Sequence, residues 1–189
     1  MKAPWGWNRV TGLKRVTLLV MVVWLTPIGV VAQPGGRPYT ENITGTLSSS
    51  TLDRNADGVP ASISTFSGNS NFGKVHGQSS FEVTVFGAPV NCAVDEVEAT
   101  LVGTRDVRRF PDHGDMIFLE VSDLLVCLNP LTGIFTVSSQ GHFIGGTGRY
   151  SGATGDFTGS FTGAILVADP NGALFGAFSG GVTGTVETP

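Results

Sequence analysis

The sequence predicts an all-β protein that folds as a single antiparallel β-barrel of about eight strands, with a β-sandwich as the alternative. Seven to nine short runs alternate apolar and polar residues with the period of two that a β-strand requires. Residues that favour turns separate these runs at intervals of roughly ten residues. No run has the periodicity of an amphipathic helix. Together these observations are typical of antiparallel barrels and sandwiches.

The clearest predicted element is a β-hairpin over residues 135–167. On its second arm, the apolar residues Phe157, Phe161 and Ile165 occupy odd positions, and the even positions from 156 to 162 are polar. The first arm has the same period, with Phe135 and Phe143 on one side and polar residues on the other. Each arm therefore has one apolar face, which we expect to point into the core.

Glycines are concentrated in this hairpin. The turn GGTG at residues 145–148 can adopt positive φ without a steric penalty, as a chain reversal needs. Gly155, Gly159 and Gly163 recur beside phenylalanines, which indicates close backbone approach or the sharp bending of a small closed sheet. The spacing matches no phosphate-binding loop, and no helical pattern follows it.

The segment GGTGRYSGATGDFTGSF, residues 145–161, resembles the glycine-rich hairpin of the allene oxide cyclase and dirigent superfamily. The resemblance implies a secreted eight-stranded antiparallel β-barrel. Members of the superfamily act as cyclases, orient the coupling of phenoxy radicals, or have no known activity. The matching residues are mainly turn glycines, so the resemblance bears on fold more than on activity. It assigns no catalytic residue to this chain.

Residues 1–32 have the pattern of a secretory signal peptide. Four basic residues precede an apolar run from 16 to 31, and the small residue Ala32 ends the segment. The run is shorter than the roughly 20 residues that span a bilayer, so we expect no membrane anchor to remain after cleavage. We predict a flexible leader over residues 33–40 and a barrel domain over 41–189, secreted to an extracellular or periplasmic location.

Cleavage after Ala32 changes the charge balance of the chain. It removes four of the 11 basic residues and none of the 15 acidic ones, leaving a net charge of about −8. Such an acidic domain is poorly suited to bind nucleic acid or an anionic membrane surface.

The segment DRNADG at residues 53–58 places Asp53, Asn55 and Asp57 at alternate positions before a glycine. Side-chain oxygens with this spacing can surround Ca²⁺, so these three residues form a candidate calcium site. Calcium is the only cofactor that the sequence suggests. The alternative is an Asx-rich turn between two strands, because Asp, Asn and Gly are favoured in turns.

The middle of the chain contains further candidate features. Cys92 and Cys127 are the only cysteines, and in an oxidising compartment we expect them to form a disulfide. The run from Arg105 to Arg109 mixes arginines with an acidic residue, which favours an exposed strand end. The segment DHGD at residues 112–115 could supply a metal ligand or an acid and a base, but turn chemistry alone explains it.

Three classes of function remain open. The first is a secreted, non-catalytic barrel that binds a small apolar or aromatic molecule, or another protein. The second is a cyclase or isomerase acting on a lipid-like substrate, which only the family resemblance implies. The third is a structural or adhesive domain stabilised by calcium. No GxSxG or HExxH motif is present, which favours the non-catalytic class.

The orientation of titratable side chains distinguishes the first two classes. Charged groups that line the lumen, each beside a partner, would favour catalysis, and a lumen of Phe, Val and Gly would favour binding or a filled core. The side chains to examine are Glu82, Glu98, Arg105, Glu120 and Tyr150. Arg149 and Tyr150 at the tip of the main hairpin form a further candidate pair, with packing of the turn as the alternative.

Overall fold

The chain forms a closed barrel of eight antiparallel strands, as seen in a computed structural model. The structure describes residues 36–53, 56, 58, 60–168 and 174–189. Each strand pairs with the next along the chain, and β8 pairs with β1 to close the sheet. The strands are β1 Arg37–Ser49, β2 Ser62–Ser70, β3 Gly73–Val83, β4 Val97–Arg109, β5 Met116–Leu128, β6 Ile134–Gly146, β7 Asp156–Ala168 and β8 Leu174–Val186. The predicted barrel is confirmed, and the closure by β1 and β8 excludes the sandwich.

Helical structure is nearly absent from the described residues. They contain one short 3₁₀ turn, Gly148–Tyr150, in the connection between β6 and β7. None of the described segments forms a helix with the length and apolarity that crossing a bilayer requires.

One end of the barrel is closed by aromatic side chains, and we call it the plugged end. The β2–β3, β4–β5 and β6–β7 connections each contribute one ring, from Phe72, Phe110 and Tyr150. Phe72 stacks on Tyr150 with the ring centroids 5.7 Å apart, and Tyr39 of β1 meets Phe143 of β6 edge to face at 5.4 Å. These rings fill the barrel cross-section, and such contacts add to the free energy gained by burying them.

The opposite end, with the β1–β2, β3–β4, β5–β6 and β7–β8 connections, is the open end. A disulfide between Cys92 and Cys127, as predicted, links the β3–β4 connection to the last residues of β5 at this end, with the two Cα atoms 5.5 Å apart. Disulfides of this kind persist in oxidising compartments.

The predicted hairpin is confirmed as β6 and β7. Phe135, Phe143 and Phe157 are buried, and His142 pairs with Asp156 at the end of the ladder nearest the turn. Gly163 faces Phe135 across the ladder, and a Cβ atom on Gly163 would collide with the Phe135 ring. The expected close approach at these glycines is therefore present.

The first strand starts earlier than predicted. Residues 37–40, which we expected to form part of a flexible leader, belong to β1, and Tyr39 is only 1% exposed. The physical reason is that Arg37 and Tyr39 pair with Val186 and Gly184 of β8, while the Tyr39 ring forms part of the plug. The predicted signal peptide, residues 1–32, lies outside the described residues.

Candidate functional site

A cavity of about 170 Å³ extends from the open end into the barrel. Most of its wall is apolar, and seven phenylalanines dominate it, six from five strands and one from the β3–β4 connection. They are Phe66, Phe81, Phe86, Phe135, Phe157, Phe161 and Phe178. A cavity of roughly 150 Å³ with an apolar lining is known to accept a ligand the size of benzene. The barrel can therefore hold a molecule built around one aromatic ring or a short aliphatic chain.

One side of the cavity is polar. β2, β3 and β4 supply Ser64, Ser79, Thr104, Asp106 and Arg108 to its lining. The hydroxyl oxygens of Ser64 and Ser79 lie 2.9 Å apart and share a hydrogen bond. The cavity is therefore amphipathic, with most of its hydrogen-bonding groups on the β2–β4 side and most of its aromatic rings on the other strands.

Asp106 and Arg108 belong to a buried group of four side chains, with Tyr39 and Glu41, that we call the ionic cluster. Arg108 forms an ion pair with Asp106 through Nη1 and donates a hydrogen bond from Nε to Oε2 of Glu41 at 3.3 Å. The Tyr39 hydroxyl donates to the same Glu41 oxygen. The Arg108 guanidinium also lies 4.6 Å from the Phe66 ring centroid, as in a cation–π contact. The cluster lies between the plug and the cavity, and Asp106 and Arg108 face the cavity.

Burial alters the acidity of the ionic cluster. Desolvation raises the pKa of Asp106 above its ordinary value, and the nearby Arg108 offsets this only in part. Burial alone would lower the pKa of Arg108, but the carboxylates of Asp106 and Glu41 raise it, so Arg108 stays cationic. Desolvation and the Glu41 charge raise the pKa of Tyr39, which stays a neutral hydrogen-bond donor.

A β-bulge places Asp106 and Arg108 inside the barrel. Glu82 of β3 pairs with Gly103, but the next residue, Val83, pairs with Leu101, so Val102 is an extra residue in β4. Before the bulge the odd residues of β4 point inward, and after it the even residues do. The bulge therefore moves two charged side chains from the outer face to the lumen.

The arginine run is only partly the exposed strand end that the sequence predicted. Arg105 and Arg109 are exposed, but Arg108 is only 3% exposed and belongs to the ionic cluster. The prediction was wrong for Arg108 because it took no account of the bulge. The sequence prediction did not include Glu41 either. Its position between Tyr39 and Ile43 on the apolar face of β1 could have indicated a buried charge.

None of the five side chains chosen from the sequence lines the cavity. Arg105 and Glu120 form an exposed ion pair of 2.6 Å between β4 and β5. Tyr150 lies in the plug, where desolvation raises its pKa. Glu82 is buried, but its neighbours Phe81 and Val83 line the cavity, so Glu82 lies on the opposite face of β3.

Glu98, the fifth of these side chains, organises the β3–β4 connection at the open end. Its carboxylate accepts hydrogen bonds from the backbone N–H groups of Val90 and Asn91 at 2.8 and 2.6 Å. These bonds lower the pKa of Glu98, because they stabilise its ionised form. Its role is to hold the loop that carries Cys92.

The segment 112–115 and the Arg149–Tyr150 pair meet at the plugged end. Arg149 Nε donates to Asp115 Oδ2 at 2.9 Å, and His113 Nδ1 lies 3.0 Å from the same oxygen. Desolvation would raise the pKa of Asp115, but its hydrogen bonds with Arg149 lower it. With Tyr150 buried in the plug, these contacts match the packing alternative, in which both segments stabilise the turns.

The calcium prediction remains a prediction. Asp53 Oδ2 accepts a hydrogen bond from the backbone N–H of Gly58 at 2.9 Å. Hydrogen bonds from the backbone to an Asp side chain are typical of an Asx-rich turn. Asn55 and Asp57 lie outside the described residues.

A second group of potential ligand atoms, from Cys92, Glu96 and Cys127, includes the two sulfurs of the disulfide. Since these sulfurs are bonded to each other, they are not available as thiolate ligands.

The fold and the cavity define an up-and-down β-barrel with one plugged end, one open end and an amphipathic lumen. Comparisons with models of known families, with characterised proteins and with solved structures find no match to this chain. The resemblance of residues 145–161 to the allene oxide cyclase and dirigent superfamily therefore remains a hypothesis.

Proposed function

We propose that the protein binds a small apolar or aromatic molecule in the barrel lumen and that the ligand enters through the open end. The observation that carries this proposal is the phenylalanine-walled cavity of about 170 Å³. A filled core would leave no such space, because protein interiors pack about as densely as organic crystals. A pocket with apolar walls and a few polar groups is the usual form of a small-molecule site.

The surface of the open end supports the same proposal. Twelve large hydrophobic residues are exposed in the described part of the chain, and ten of them surround this end. These ten are Leu52, Val85, Phe86, Val90, Val94, Leu131, Ile134, Leu166, Val167 and Phe175. Concentrated apolar surface of this kind marks a place where apolar partners or ligands meet a protein.

We also propose that the protein acts outside the cytoplasm, in an extracellular or periplasmic space. The disulfide supports this location, since such bonds are rare in reducing compartments. The signal-peptide pattern of residues 1–32 supports it independently. The mass of the secreted protein tests both features, because cleavage after Ala32 and loss of two hydrogens give one defined value.

Fluorobenzene is a suitable probe of the lumen, because it has the size that the cavity accepts. We expect its ¹⁹F resonance to broaden or shift when the protein is added. Ser139 lines the cavity on β6, and its neighbour Ser138 is exposed on the outer face. Ser139→Phe should fill the lumen and abolish the effect, and Ser138→Phe should preserve it. An unchanged resonance with the unmodified protein would contradict the proposal.

A cyclase or isomerase is the second candidate function, and the ionic cluster favours it. Asp106 and Arg108 are charged side chains that line the lumen beside a partner, which is the arrangement expected of a catalytic site. In this role Asp106 would transfer a proton within the substrate, and Arg108 would stabilise negative charge that develops during the reaction.

The test of this second function uses a lipid extract of the host. An isomerase changes the retention time of a compound without changing its mass, so chromatography with mass spectrometry detects its action. We expect such a change with the unmodified protein and its loss in Asp106→Asn. Identical profiles with and without the protein would leave the non-catalytic function as the proposal.

A further inference from the structure

The cavity contains more negative than positive charge at its inner end. Arg108 is the only cationic side chain among the described residues that line it. Two carboxylates, Asp106 and Glu41, contact this one guanidinium. With all three groups ionised, the ionic cluster has a net charge of −1.

Two of the three side-chain nitrogens of Arg108 already have partners. Its Nε donates to Glu41 and its Nη1 pairs with Asp106, both within the protein. A ligand carboxylate would therefore have to compete with two built-in carboxylates for the same guanidinium. Like charges placed together in a desolvated site repel each other strongly, which selects against anionic ligands.

One carboxylate oxygen of the ionic cluster has no donor in the part of the chain that the structure describes. Glu41 is 2% exposed, and its Oε1 has no hydrogen-bond partner among the described residues. Buried polar atoms are nearly always hydrogen-bonded, so an unpartnered carboxylate oxygen in a cluster that faces a cavity indicates a missing donor. The hydroxyls of Ser64 and Ser79 on the same wall bond each other, which leaves one O–H donor and further acceptor capacity for a ligand.

We infer that the ligand of this cavity carries a hydrogen-bond donor directed at Asp106, and that amines are preferred over neutral molecules while carboxylates are rejected. The inference rests on the proposed function, since it assumes that the lumen binds a small molecule. The aromatic walls hold the apolar part of the ligand, and Asp106 selects its polar group. A free fatty acid is the kind of molecule that this arrangement excludes.

Four probes of one carbon skeleton separate the alternatives. They are ethylbenzene, 2-phenylethanol, 2-phenylethylamine and phenylacetate, which at pH 7 are apolar, neutral polar, cationic and anionic. Binding to the full secreted protein is measured by calorimetry or by ligand-observed NMR. We expect the amine to bind at least about tenfold more tightly than phenylacetate, with the alcohol and ethylbenzene between them.

Asp106→Asn tests the residue that makes the selection. It removes one negative charge and keeps the shape of the side chain, so the preference for the amine should fall by about tenfold. The matched control is Glu120→Gln, which removes one negative charge from the outer face and should leave the preference unchanged. The probe series on the unmodified protein decides the inference even if Asp106→Asn does not fold.

Each result has a distinct meaning. Equal binding of the four probes would overturn the inference and leave the proposed function intact. Tightest binding of phenylacetate would overturn it as well, by showing that Arg108 governs recognition. Failure of all four probes to bind would overturn the proposed function and the inference together.

Discussion

Arg108 on β4 donates a hydrogen bond from Nε to Oε2 of Glu41 on β1, with the two atoms 3.3 Å apart. β2 and β3 separate these strands in the sheet, so the bond crosses the barrel interior. Both side chains are at most 3% exposed. Each charge loses most of its hydration on folding, and only its partners within the protein compensate for that loss.

Replacing Arg108 by Met should destabilise the protein strongly. The substitution leaves the carboxylates of Glu41 and Asp106 buried without a cation, and breaking a buried ion pair in this way costs about 3–5 kcal/mol. The free energy of unfolding from urea titration measures the loss.

The control for this prediction is Arg105→Met on the same strand. Arg105 pairs with Glu120 on the outer face, where both side chains are about half exposed. Exposed ion pairs contribute roughly 0–1 kcal/mol, so this variant should remain close to the unmodified protein. Equal losses in the two variants would show that the buried cluster does not stabilise the barrel.

The raised pKa of Asp106 predicts a pH dependence of stability. Because the folded protein binds the Asp106 proton more tightly than the unfolded chain does, this group stabilises the fold below its unfolded pKa of about 3.9. That contribution is lost as the pH rises through the folded pKa. The free energy of unfolding of the unmodified protein, relative to Asp106→Asn, should therefore fall as the pH increases from about 3.

Urea titrations of both proteins at a series of pH values measure this difference. Glu98, whose pKa is lowered, makes a contribution to the free energy of unfolding that increases with pH. It is present in both proteins, so this contribution cancels in the comparison. A difference that rises with pH would show that Arg108 lowers the pKa of Asp106 more than burial raises it.

Much of the fold follows from local sequence pattern. The alternation at Phe157, Phe161 and Ile165 identifies both the strand and its inner face, because the side-chain period of a strand is two. The turn glycines mark the reversal between β6 and β7, and Gly145 and Gly148 do adopt positive φ, at 136° and 55°. Where every local preference agrees with the fold, as in this hairpin, a prediction from sequence succeeds.

The ionic cluster escaped prediction for a physical reason. Alternation that continues from Ala99 and Leu101 would place Arg105 in the lumen. The extra residue Val102 shifts the alternation by one position, so Asp106 and Arg108 point inward instead. A bulge is a property of the pairing with β3, and no single residue in the sequence predicts it. Contacts such as that of Arg108 with Glu41, 67 residues apart, depend on barrel closure and have no local signal.

Removing the disulfide should weaken the open end of the barrel. The Cys92–Cys127 bond closes a loop with a sequence separation of 35 residues, which corresponds to about 3–4 kcal/mol in the chain-entropy model. The double variant Cys92→Ser, Cys127→Ser should lose about that much free energy of unfolding. Hydrogen exchange should increase in the β3–β4 connection, which the bond ties to β5.

Reductant supplies the control for the disulfide. Dithiothreitol should destabilise the unmodified protein in urea titration and leave the double variant unaffected. If the variant and the unmodified protein unfold at the same urea concentration, the bond does not contribute to stability.

Gly163→Ala should destabilise the barrel, because a Cβ atom at this position would meet the Phe135 ring and the backbone carbonyl of Ala177. The carbonyl belongs to the ladder with β8 and cannot move without breaking it, so we expect a loss of about 1–3 kcal/mol in urea titration. Gly87→Ala is the matched control, since no heavy atom lies within 4 Å of its added methyl group. Its effect should stay within about 0.5 kcal/mol. Similar values for the two variants would show that the hairpin glycines are not required for close packing of the strands.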